Sequence, residues 1–589
     1  MKFLLITPPL TQLNTPYPAT TVLKGYLQSV GFKVDQTDLG IELVDKIFTK
    51  SFLSKIFKSE NAYTQCVEYV IKFLRGQDPT LASRIVNRSL LPEGKRFKNL
   101  ADMEWAFGVS SFADKAQYLA TQFIEDIADY IRENIDNHFD LIRYAEHLAN
   151  FAPNFDVLQN ALNQPLTIID ELMLNILKSH IDLSKPDIVG FSIPFPGCLY
   201  GALRCGQFIK NNFKNIKIIL GGGFPNTEWR QISDTRIFNY CDFITLDDGE
   251  IPLKNIADFL DNKISINNLV RTFYLENSKI KYSGNDLENN DFSNQASPDF
   301  DGLPLNLYFS LAEMTNPMHR LWTNGRWNKM MVAHGCYWAK CAFCDTNLDY
   351  IQRFCMPSAK TVVDRMQDII NQTNITGFHF VDEALPPKLL KEICQEILSR
   401  KMIVSFWGNI RFEKSYNKEL TDLMADAGCI AVSGGLEVAS NRLLKLMNKG
   451  VTIEQTIQAC RNFRNSGIMV HTYLMYGFPT ETLQETINAL EIVRRMFDEG
   501  IVQSAFWHRY AMTAHSNSGK NPENFGAKRL SFVPNSFCNN EVEFENNFDY
   551  NIEAVGRGLD FATYNFMNDI GLDLPLKRWF DIKIPKPNI

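Results

Sequence analysis

The stretch His334-Gly-Cys336-Tyr-Trp-Ala-Lys-Cys341-Ala-Phe-Cys344-Asp345 places three cysteines on one short loop, with the spacing Cys-x4-Cys-x2-Cys. The remaining cysteines, out of 12 in the chain, are scattered singly. Cysteine thiolates are the usual ligands of iron–sulfur clusters, so three of them can hold three irons of a [4Fe–4S] cluster. The fourth iron then has no protein ligand, and an open metal position is where a substrate or cosubstrate binds. The spacing therefore predicts Cys336, Cys341 and Cys344 as cluster ligands.

Two other interpretations of this loop stay open on the residues alone. The cysteines could hold a structural zinc ion, with His334 or a distant cysteine as the fourth ligand. They could also be unligated cysteines of a core. The position of the loop directly after an apolar strand favours the cluster, because functional residues of β/α folds follow the carboxyl ends of strands.

Outward from this loop, apolar runs alternate with amphipathic segments over residues 326–514. Six strand–helix repeats predict an open or complete β/α barrel of the partial TIM type. The strands are expected near 330–334, 376–381, 402–409, 429–434, 468–475 and 502–507, and the helices near 358–372, 387–400, 417–427, 440–447, 453–466 and 482–498.

The amino-terminal part shows the same alternation with a long interruption. Strands are expected at 2–6, from 32, and at 187–193, 216–220 and 242–245. Such a series predicts a doubly wound, Rossmann-like parallel sheet over residues 1–261, with residues 41–185 as a helical insertion. Residues 262–325 are polar and are expected to be a linker. Residues 515–589 are expected to be a mixed carboxyl-terminal region, for which substrate binding is one expected role.

Composition excludes several classes of protein. Of the 589 residues, 45% are hydrophobic and 22% are charged, which is typical of a folded globular chain. The net charge of -7 argues against sequence-blind binding of nucleic acid. No apolar run approaches the ~18–20 residues of a membrane span, and the start of the chain does not resemble a signal peptide. We therefore expect a cytoplasmic protein.

Further motifs come after the cysteine loop in a fixed order. They are Phe378-His-Phe-Val-Asp382-Glu383, Ser433-Gly-Gly-Leu-Glu437 and Tyr476-Gly-Phe-Pro-Thr-Glu481, and, in the amino-terminal part, Thr7-Pro-Pro, Pro186-Asp-Ile-Val-Gly-Phe-Ser192, Gly221-Gly-Gly and Asp248-Gly-Glu250. With the Cys-x-Phe-Cys end of the loop, this set resembles the radical S-adenosylmethionine (SAM) enzymes that carry an amino-terminal cobalamin-binding domain. The resemblance covers residues ~1–40 and ~185–510. One departure is the cysteine spacing, because the usual family loop is Cys-x3-Cys-x2-Cys.

The resemblance implies three cofactors: a [4Fe–4S] cluster, SAM and cobalamin. In the family, SAM chelates the open iron and is cleaved to a 5′-deoxyadenosyl radical that takes a hydrogen from the substrate. For SAM, the resemblance implies contacts from Asp382, Glu383, Asn409, Arg411, Glu437 and Gly477. The plainer interpretation of Asp382 and Glu383 is a helix cap or a surface pair, and that of Arg411 is a structural ion pair.

For cobalamin, the resemblance implies contacts at the strand ends of the first sheet, namely Pro8, Ser192, Gly221, Gly222, Gly223 and Glu250. Three consecutive glycines are expected to leave room for a planar ring against the backbone. No Asp-x-His-x-x-Gly motif occurs, so a histidine ligand to cobalt is not expected. The domain could also be one that binds no cobalamin.

The leading hypothesis is a cobalamin-dependent radical SAM methyltransferase that acts on an unactivated carbon and draws electrons from a donor such as flavodoxin or ferredoxin. Cyclisation or rearrangement with the same cofactors is an alternative, and a metal-binding sensor protein is a third. The substrate, whether peptide, lipid or small metabolite, is not readable from the sequence.

Overall fold

A computed structural model describes the chain apart from residues 101–110, 143–145, 150–153, 285–290, 315, 531–536 and 546–547. Its centre is two separate sheets, and the first has seven strands in the order β2-β1-β3-β4-β5-β6-β7. Their bounds are Lys2–Thr7 (β1), Lys33–Asp38 (β2), Ile188–Ser192 (β3), Lys217–Gly221 (β4), Phe243–Thr245 (β5), Thr272–Glu276 (β6) and Lys279–Ser283 (β7).

Strands β1 to β5 are parallel, as the sequence predicted for a doubly wound sheet. Helices beside this sheet are Ala19–Ser29, Leu199–Asn212, Gly223–Glu228 and Glu250–Leu260. The strand order reverses between β1 and β3, and ligands of open α/β sheets bind beyond the carboxyl ends of the strands at such a reversal. The first sheet therefore has its natural ligand position next to the loops that come after β1 and β3.

The segment between β2 and β3 is helical where the structure describes it. Its helices are Leu39–Ile47, Lys50–Phe57, Ala62–Leu74, Ala82–Val86, Phe112–Asn134, Glu146–Ala149, Asp156–Asn163 and Ile168–Ser184. A buried group joins the insertion to the sheet. The Arg204 guanidinium, 2% exposed, donates to the Leu162 carbonyl at 2.7 Å and to the Tyr200 hydroxyl at 2.8 Å. It also lies 3.5 Å from the carboxylate of the fully buried Asp170. Breaking such a buried pair leaves an uncompensated charge, which fixes the insertion firmly in place.

The second sheet has six parallel strands in sequential order, β8 to β13. They are Asn328–Met330, Gly377–Phe380, Ser405–Ile410, Cys429–Glu437, Met469–Tyr476 and Ser504–Arg509. Among the described residues β13 does not pair with β8, so the barrel is open on that side. The main helices are Ala359–Thr373, Pro387–Ser399, Lys418–Asp426, Asn441–Leu446, Ile453–Asn465 and Leu483–Asp498, with a short turn of helix at Asp349–Gln352. The sequence predicted every one of these strands and main helices to within a few residues.

The expected linker 262–325 is wrong in part, because two of its pieces have definite structure. Strands β6 and β7 extend the first sheet antiparallel to β5. Four of the five residues of β7 are exposed or partly exposed, and this polar character of an edge strand resembles that of a connector. Residues Met318 and Leu321 pack against Trp407 and Ala431, which closes the amino-terminal end of the barrel.

The tail contains a two-stranded pair, Lys528–Arg529 with Phe544–Glu545, a short helix at Asn517–Lys520 and a longer helix at Ile552–Phe566. The longer helix packs on the barrel, where Trp507 Nε1 donates to Thr563 Oγ1 at 2.8 Å. Within the described part of the chain, no helix combines the length and the apolar character that a membrane crossing requires.

Gly222 determines the backbone conformation of the turn after β4, and the space around it is crowded. Gly222 has φ +107° and ψ -172°, a backbone region that is essentially restricted to glycine. A Cβ atom there would lie 2.7 Å from both the backbone nitrogen and the backbone oxygen of Ile193. The neighbouring glycines are also crowded, since a Cβ on Gly221 would meet Thr245 and one on Gly223 would meet Pro194. The three glycines therefore allow close contact with neighbouring loops.

This contact predicts a stability difference between two glycines. Gly222→Ala should lower the free energy of unfolding by roughly 3 kcal/mol, because backbone strain and a clash act together. Gly467 also has a positive φ, of +79°, but open space around it, so Gly467→Ala should cost about 1 kcal/mol. Urea midpoints of the two variants measure the difference, and equal losses would contradict the steric argument.

Candidate functional site

The cysteine loop begins where β8 ends and is held by backbone hydrogen bonds. Cys336 N donates to the Ile351 carbonyl at 3.0 Å, and Ala342 N donates to the Met447 carbonyl at 2.8 Å. Gly335 has φ +76°, and a Cβ there would lie 2.2 Å from the Arg353 carbonyl oxygen. The loop is thus fixed on both sides of its first cysteine.

The three cysteines line one cavity of about 320 Å³ at the carboxyl ends of the barrel strands, here called the cysteine cavity. Of the residues expected to contact SAM, four line the same cavity: Glu383, Asn409, Arg411 and Glu437. The barrel thus brings together most of a set that is spread over about one hundred residues of sequence.

Two cations lie beside the thiols of this cavity. Arg411 Nη1 donates to Cys341 Sγ at 3.8 Å, and Lys449 Nζ lies 2.5 Å from Glu437 Oε1. The pKa of the Cys341 thiol is lowered to about 6, first by a hydrogen bond from Cys344 and then by the charges of Lys449 and Arg411, although burial opposes the shift. The same hydrogen bond, together with burial, raises the pKa of Cys344. Lys449 lies outside every motif quoted above, so no sequence pattern indicated it.

Asp382 and Gly477 do not line the cysteine cavity, contrary to expectation. The Asp382 carboxylate, 1% exposed, accepts hydrogen bonds from the backbone N–H groups of Val332 and Ala333 at 2.7–3.2 Å. It therefore holds the segment that leads into the cysteine loop. The Gly477 N–H donates to Glu481 Oε2 at 2.7 Å, and a Cβ on Gly477 would lie 2.7 Å from Ile552. Both residues shape the backbone around the site.

Burial raises the pKa values of two carboxyl groups at this end of the barrel. Burial raises the pKa of Glu383 to about 7, with a smaller contribution from Asp345, and burial also raises that of Asp382 to about 7. The charge of Glu383 in turn contributes, after burial and Cys198, to raising the pKa of Tyr17 to about 12. Tyr17 belongs to a second cavity, so the two cavities are neighbours.

The second cavity, of about 490 Å³, lies between the two sheets and is called the inter-sheet cavity. Four residues expected to bind cobalamin line it: Ser192, Gly221, Gly222 and Glu250. Its opposite wall comes from the barrel and includes Lys329, Met330, Met331, His334 and Val381. The remaining two expected residues, Pro8 and Gly223, do not line it. The cavity occupies the position at the carboxyl ends of the first sheet where doubly wound folds bind ligands.

A charged group connects the two cavities. His334 Nε2 lies 3.0 Å from Asp248 Oδ1, and His334 Nδ1 lies 2.8 Å from the Arg353 carbonyl oxygen. Arg353 also bonds to Asp248 and, at 2.9 Å, to Asp349. Burial lowers the pKa of His334, but the hydrogen bond and charge of Asp248 outweigh it and the pKa is raised. Asp248, His334 and Asp349 have the spacing of metal ligands, yet the Arg353 guanidinium already supplies the positive charge among them.

Parts of the chain are similar in sequence to known proteins. Residues 330–493 match the model of the Radical SAM superfamily. An uncharacterized methyltransferase of Pyrococcus horikoshii is 23% identical over 332 residues, covering 56% of this chain and 68% of that protein. The anaerobic magnesium-protoporphyrin IX monomethyl ester cyclase of Rubrivivax gelatinosus is 25% identical over 378 residues, covering 62% of this chain and 64% of that protein.

A solved structure gives the fold relationship. The cobalamin-dependent S-adenosylmethionine radical enzyme OxsB with aqua-cobalamin bound matches with a TM-score of 0.51 and 17% identity, over 66% of this chain and 59% of that chain. The matched regions cover about two thirds or less of these proteins' own lengths. Residues 330–493 are therefore similar to the Radical SAM superfamily, and the fold of the chain is similar to that of this solved structure.

Proposed function

We propose that this chain is a cobalamin-dependent radical SAM methyltransferase acting on an unactivated carbon. The observation that carries the proposal is the pair of neighbouring cavities, one lined by three cysteines and the other at the ligand position of a doubly wound sheet. When bound, the cluster with SAM supplies hydrogen abstraction and cobalamin supplies methyl transfer, while the protein binds and orients them. The methyltransferase named among the relatives supports this choice.

The cysteine cavity suits an iron–sulfur cluster with SAM beside it. Cys336, Cys341 and Cys344 would hold the cluster, because their thiols share a cavity whose cations favour thiolate. Arg411 and Lys449 would balance the negative charge of the thiolates. Three ligands leave one iron open, which is the position that a cosubstrate requires.

The other polar residues of the cysteine cavity would contact different groups of SAM according to their charge. Glu383 and the Asn409 side-chain oxygen would accept hydrogen bonds from the amino group of SAM, and Arg411 would pair with its carboxylate. Glu437 would bind the ribose or the amino group while paired with Lys449. Asp382 and Gly477 are left out of this set because they bond to the backbone and to a neighbouring side chain instead.

The inter-sheet cavity suits a cofactor that lies between the ends of the first sheet and the barrel and meets both apolar and polar side chains. Its volume lies within the usual range for ligand pockets, and both sheets contribute to its wall. Ser192, Gly221 and Gly222 would contact cobalamin from the first sheet, and Glu250, which accepts a hydrogen bond from Gln295, would do so from the start of its helix.

We assign the units as a cobalamin-binding sheet extended to residue 283, a barrel at 326–514 and a tail at 515–589 that takes part in substrate binding. Tail contacts support the last assignment. His515 hydrogen-bonds to the Thr227 carbonyl at 3.2 Å, its own carbonyl accepts from Asn347 at 2.8 Å, and Asn540 N donates to Glu228 at 3.0 Å. The tail thus bridges the first sheet and the cysteine loop. An external donor such as flavodoxin or ferredoxin would supply electrons.

A second candidate function is cyclisation with the same cofactors. It is favoured by one observation, the similarity to a cyclase over 62% of this chain.

Product analysis separates these functions. Anaerobically purified, reduced protein loaded with cobalamin and SAM should release 5′-deoxyadenosine together with one S-adenosylhomocysteine per cobalamin, even without substrate. A cyclase should release 5′-deoxyadenosine without S-adenosylhomocysteine. A binding or sensor protein should release neither, and that result would sink the proposed function.

The cysteine assignment predicts a clear difference among four alanine variants. Changing Cys336, Cys341 or Cys344 to Ala should remove most bound iron and abolish SAM cleavage. Cys355→Ala is the matched control, because Cys355 pairs through its backbone with His334 and lies outside the cysteine cavity. Iron and sulfide analysis measures the effect. Iron lost from Cys355→Ala but kept in Cys336→Ala would overturn the ligand set.

The histidine contacts predict that no histidine nitrogen coordinates cobalt. His334 is the histidine in the wall of the inter-sheet cavity, and both of its ring nitrogens already have partners. Electron paramagnetic resonance of the bound cobalt(II) form should therefore lack nitrogen superhyperfine splitting. Free cob(II)alamin at neutral pH, coordinated by its own base, is the reference. Splitting in the protein-bound form would contradict the expectation.

A further inference from the structure

Lys329 is the middle residue of β8 and stands on the barrel side of the inter-sheet cavity. In the parallel register it is opposite His379 of β9. Its Nζ donates to Gln12 Oε1 at 2.5 Å, and Gln12 lies on the loop after β1. Lys329 therefore sits at the point where the open edge of the barrel meets the strand reversal of the first sheet.

The two buried lysines of the described chain, Lys24 and Lys449, have carboxylate partners, whereas the half-buried Lys329 does not. Lys24 lies 3.3 Å from Asp299, and Lys449 lies 2.5 Å from Glu437. Among the residues that the structure describes, no carboxylate oxygen comes within 4 Å of Lys329 Nζ. The amide oxygen of Gln12 satisfies one of the three donors of an ammonium group.

The surroundings of Lys329 do not supply a negative charge by another route. The His379 ring stacks on Trp407 with centroids 3.6 Å apart, and burial lowers the pKa of His379 to about 2, so this ring stays neutral. Burial lowers the pKa of Lys329 itself to about 7. A lysine in such a place is readily uncharged at neutral pH unless an anion pairs with it.

We propose that Lys329 binds an anionic group of the substrate, a carboxylate or a phosphate, inside the inter-sheet cavity. This inference rests on the proposed function, because it assumes that the substrate reacts between the two cavities. It names the substrate class that the sequence left open: a molecule with an apolar body and a negative group. The apolar body is suited by the aromatic side chains of the wall, which include Phe191, Phe195 and Phe292.

A cofactor anion is the competing occupant, since cobalamin carries one phosphodiester. The position of Lys329 favours the substrate. The ends of the first sheet form the opposite wall, where a doubly wound fold holds its ligand, whereas Lys329 shares the barrel wall with Met331 and Val381. Met331 and Val381 directly follow the carboxyl ends of β8 and β9, and the cysteine cavity, where hydrogen abstraction would occur, lies at this end of the barrel.

The test compares a charged and a neutral probe of the same shape. Protein loaded with cluster and cobalamin is titrated calorimetrically with benzoate and with benzamide. Wild-type protein should bind benzoate about tenfold or more tighter, which is the usual worth of a charge-assisted hydrogen bond. Lys329→Met should remove this preference while keeping a side chain of similar length. Lys360→Met is the control, because Lys360 is exposed and pairs with Asp364.

Each outcome of this titration has a definite meaning. Loss of the preference in Lys329→Met with unchanged cobalamin affinity supports the proposal. Absence of any charge preference in wild-type protein, or its persistence in Lys329→Met, overturns it. Weaker cobalamin binding by Lys329→Met would assign the lysine to the cofactor phosphodiester and also overturn it. Iron, cobalamin and SAM cleavage measured on the same wild-type sample report failure of the proposed function separately.

Discussion

The hydrogen-bonded group of Asp248, His334 and Arg353 is the interaction on which the arrangement of the two cavities depends. Asp248 belongs to the loop after β5 of the first sheet, whereas His334 stands two residues before the first cysteine of the loop after β8. A charge-assisted contact of 3.0 Å therefore joins the wall of one cavity to the backbone of the other. Because buried ion pairs are costly to break, the two sites are held at a fixed separation. Chemistry that passes between two bound groups requires such a separation.

A second constraint is the balance of charge in the cysteine cavity. Three thiols, Glu383 and Glu437 share this cavity with three cations, Lys340, Arg411 and Lys449. Arg411 also lies over the Trp338 ring at 4.6 Å, which shields it from water. The acidic groups outnumber the cations once the thiols are ionised, so a bound cationic group would be stabilised in this cavity. The residues that hold the backbone, Asp382 among them, keep this set in place without touching it.

Much of the fold could be predicted from the sequence because the barrel is locally consistent. Its helices begin at capping residues such as Ser358, Asn417 and Thr452, and apolar periodicity marks the helical turns after each cap. The cysteine spacing indicated the cavity directly. The edge strand β7 was missed because its polar residues resemble a connector.

The site was less predictable, since the position of a residue at a strand end does not reveal where its side chain points. Asp382 and Glu383 are adjacent in sequence, yet one bonds to the backbone and the other lines the cavity. Lys449 and Arg353 carry no local pattern, and only the fold brings them to the thiols and to His334. The crowding of Gly222 against Ile193 was also not predictable from the glycine run, because it depends on a loop distant in sequence.

The distribution of positive charge distinguishes the two cavities and suggests what each is built to meet. In the cysteine cavity, Arg411 has the Cys341 thiol beside it and Lys449 has the Glu437 carboxylate, so both cations have acidic partners within the protein. In the inter-sheet cavity, Lys329 meets only an amide oxygen and a neutral ring within the described structure. A half-buried amine without a carboxylate partner costs stability when charged, and folding alone gives no reason to place it on the barrel wall. An anion that binds in the cavity removes that cost, because it pairs with the lysine. The positive charge of Lys329 therefore has a partner only when the cavity holds an anion. A neutral analogue of the same shape gains no binding energy from the lysine.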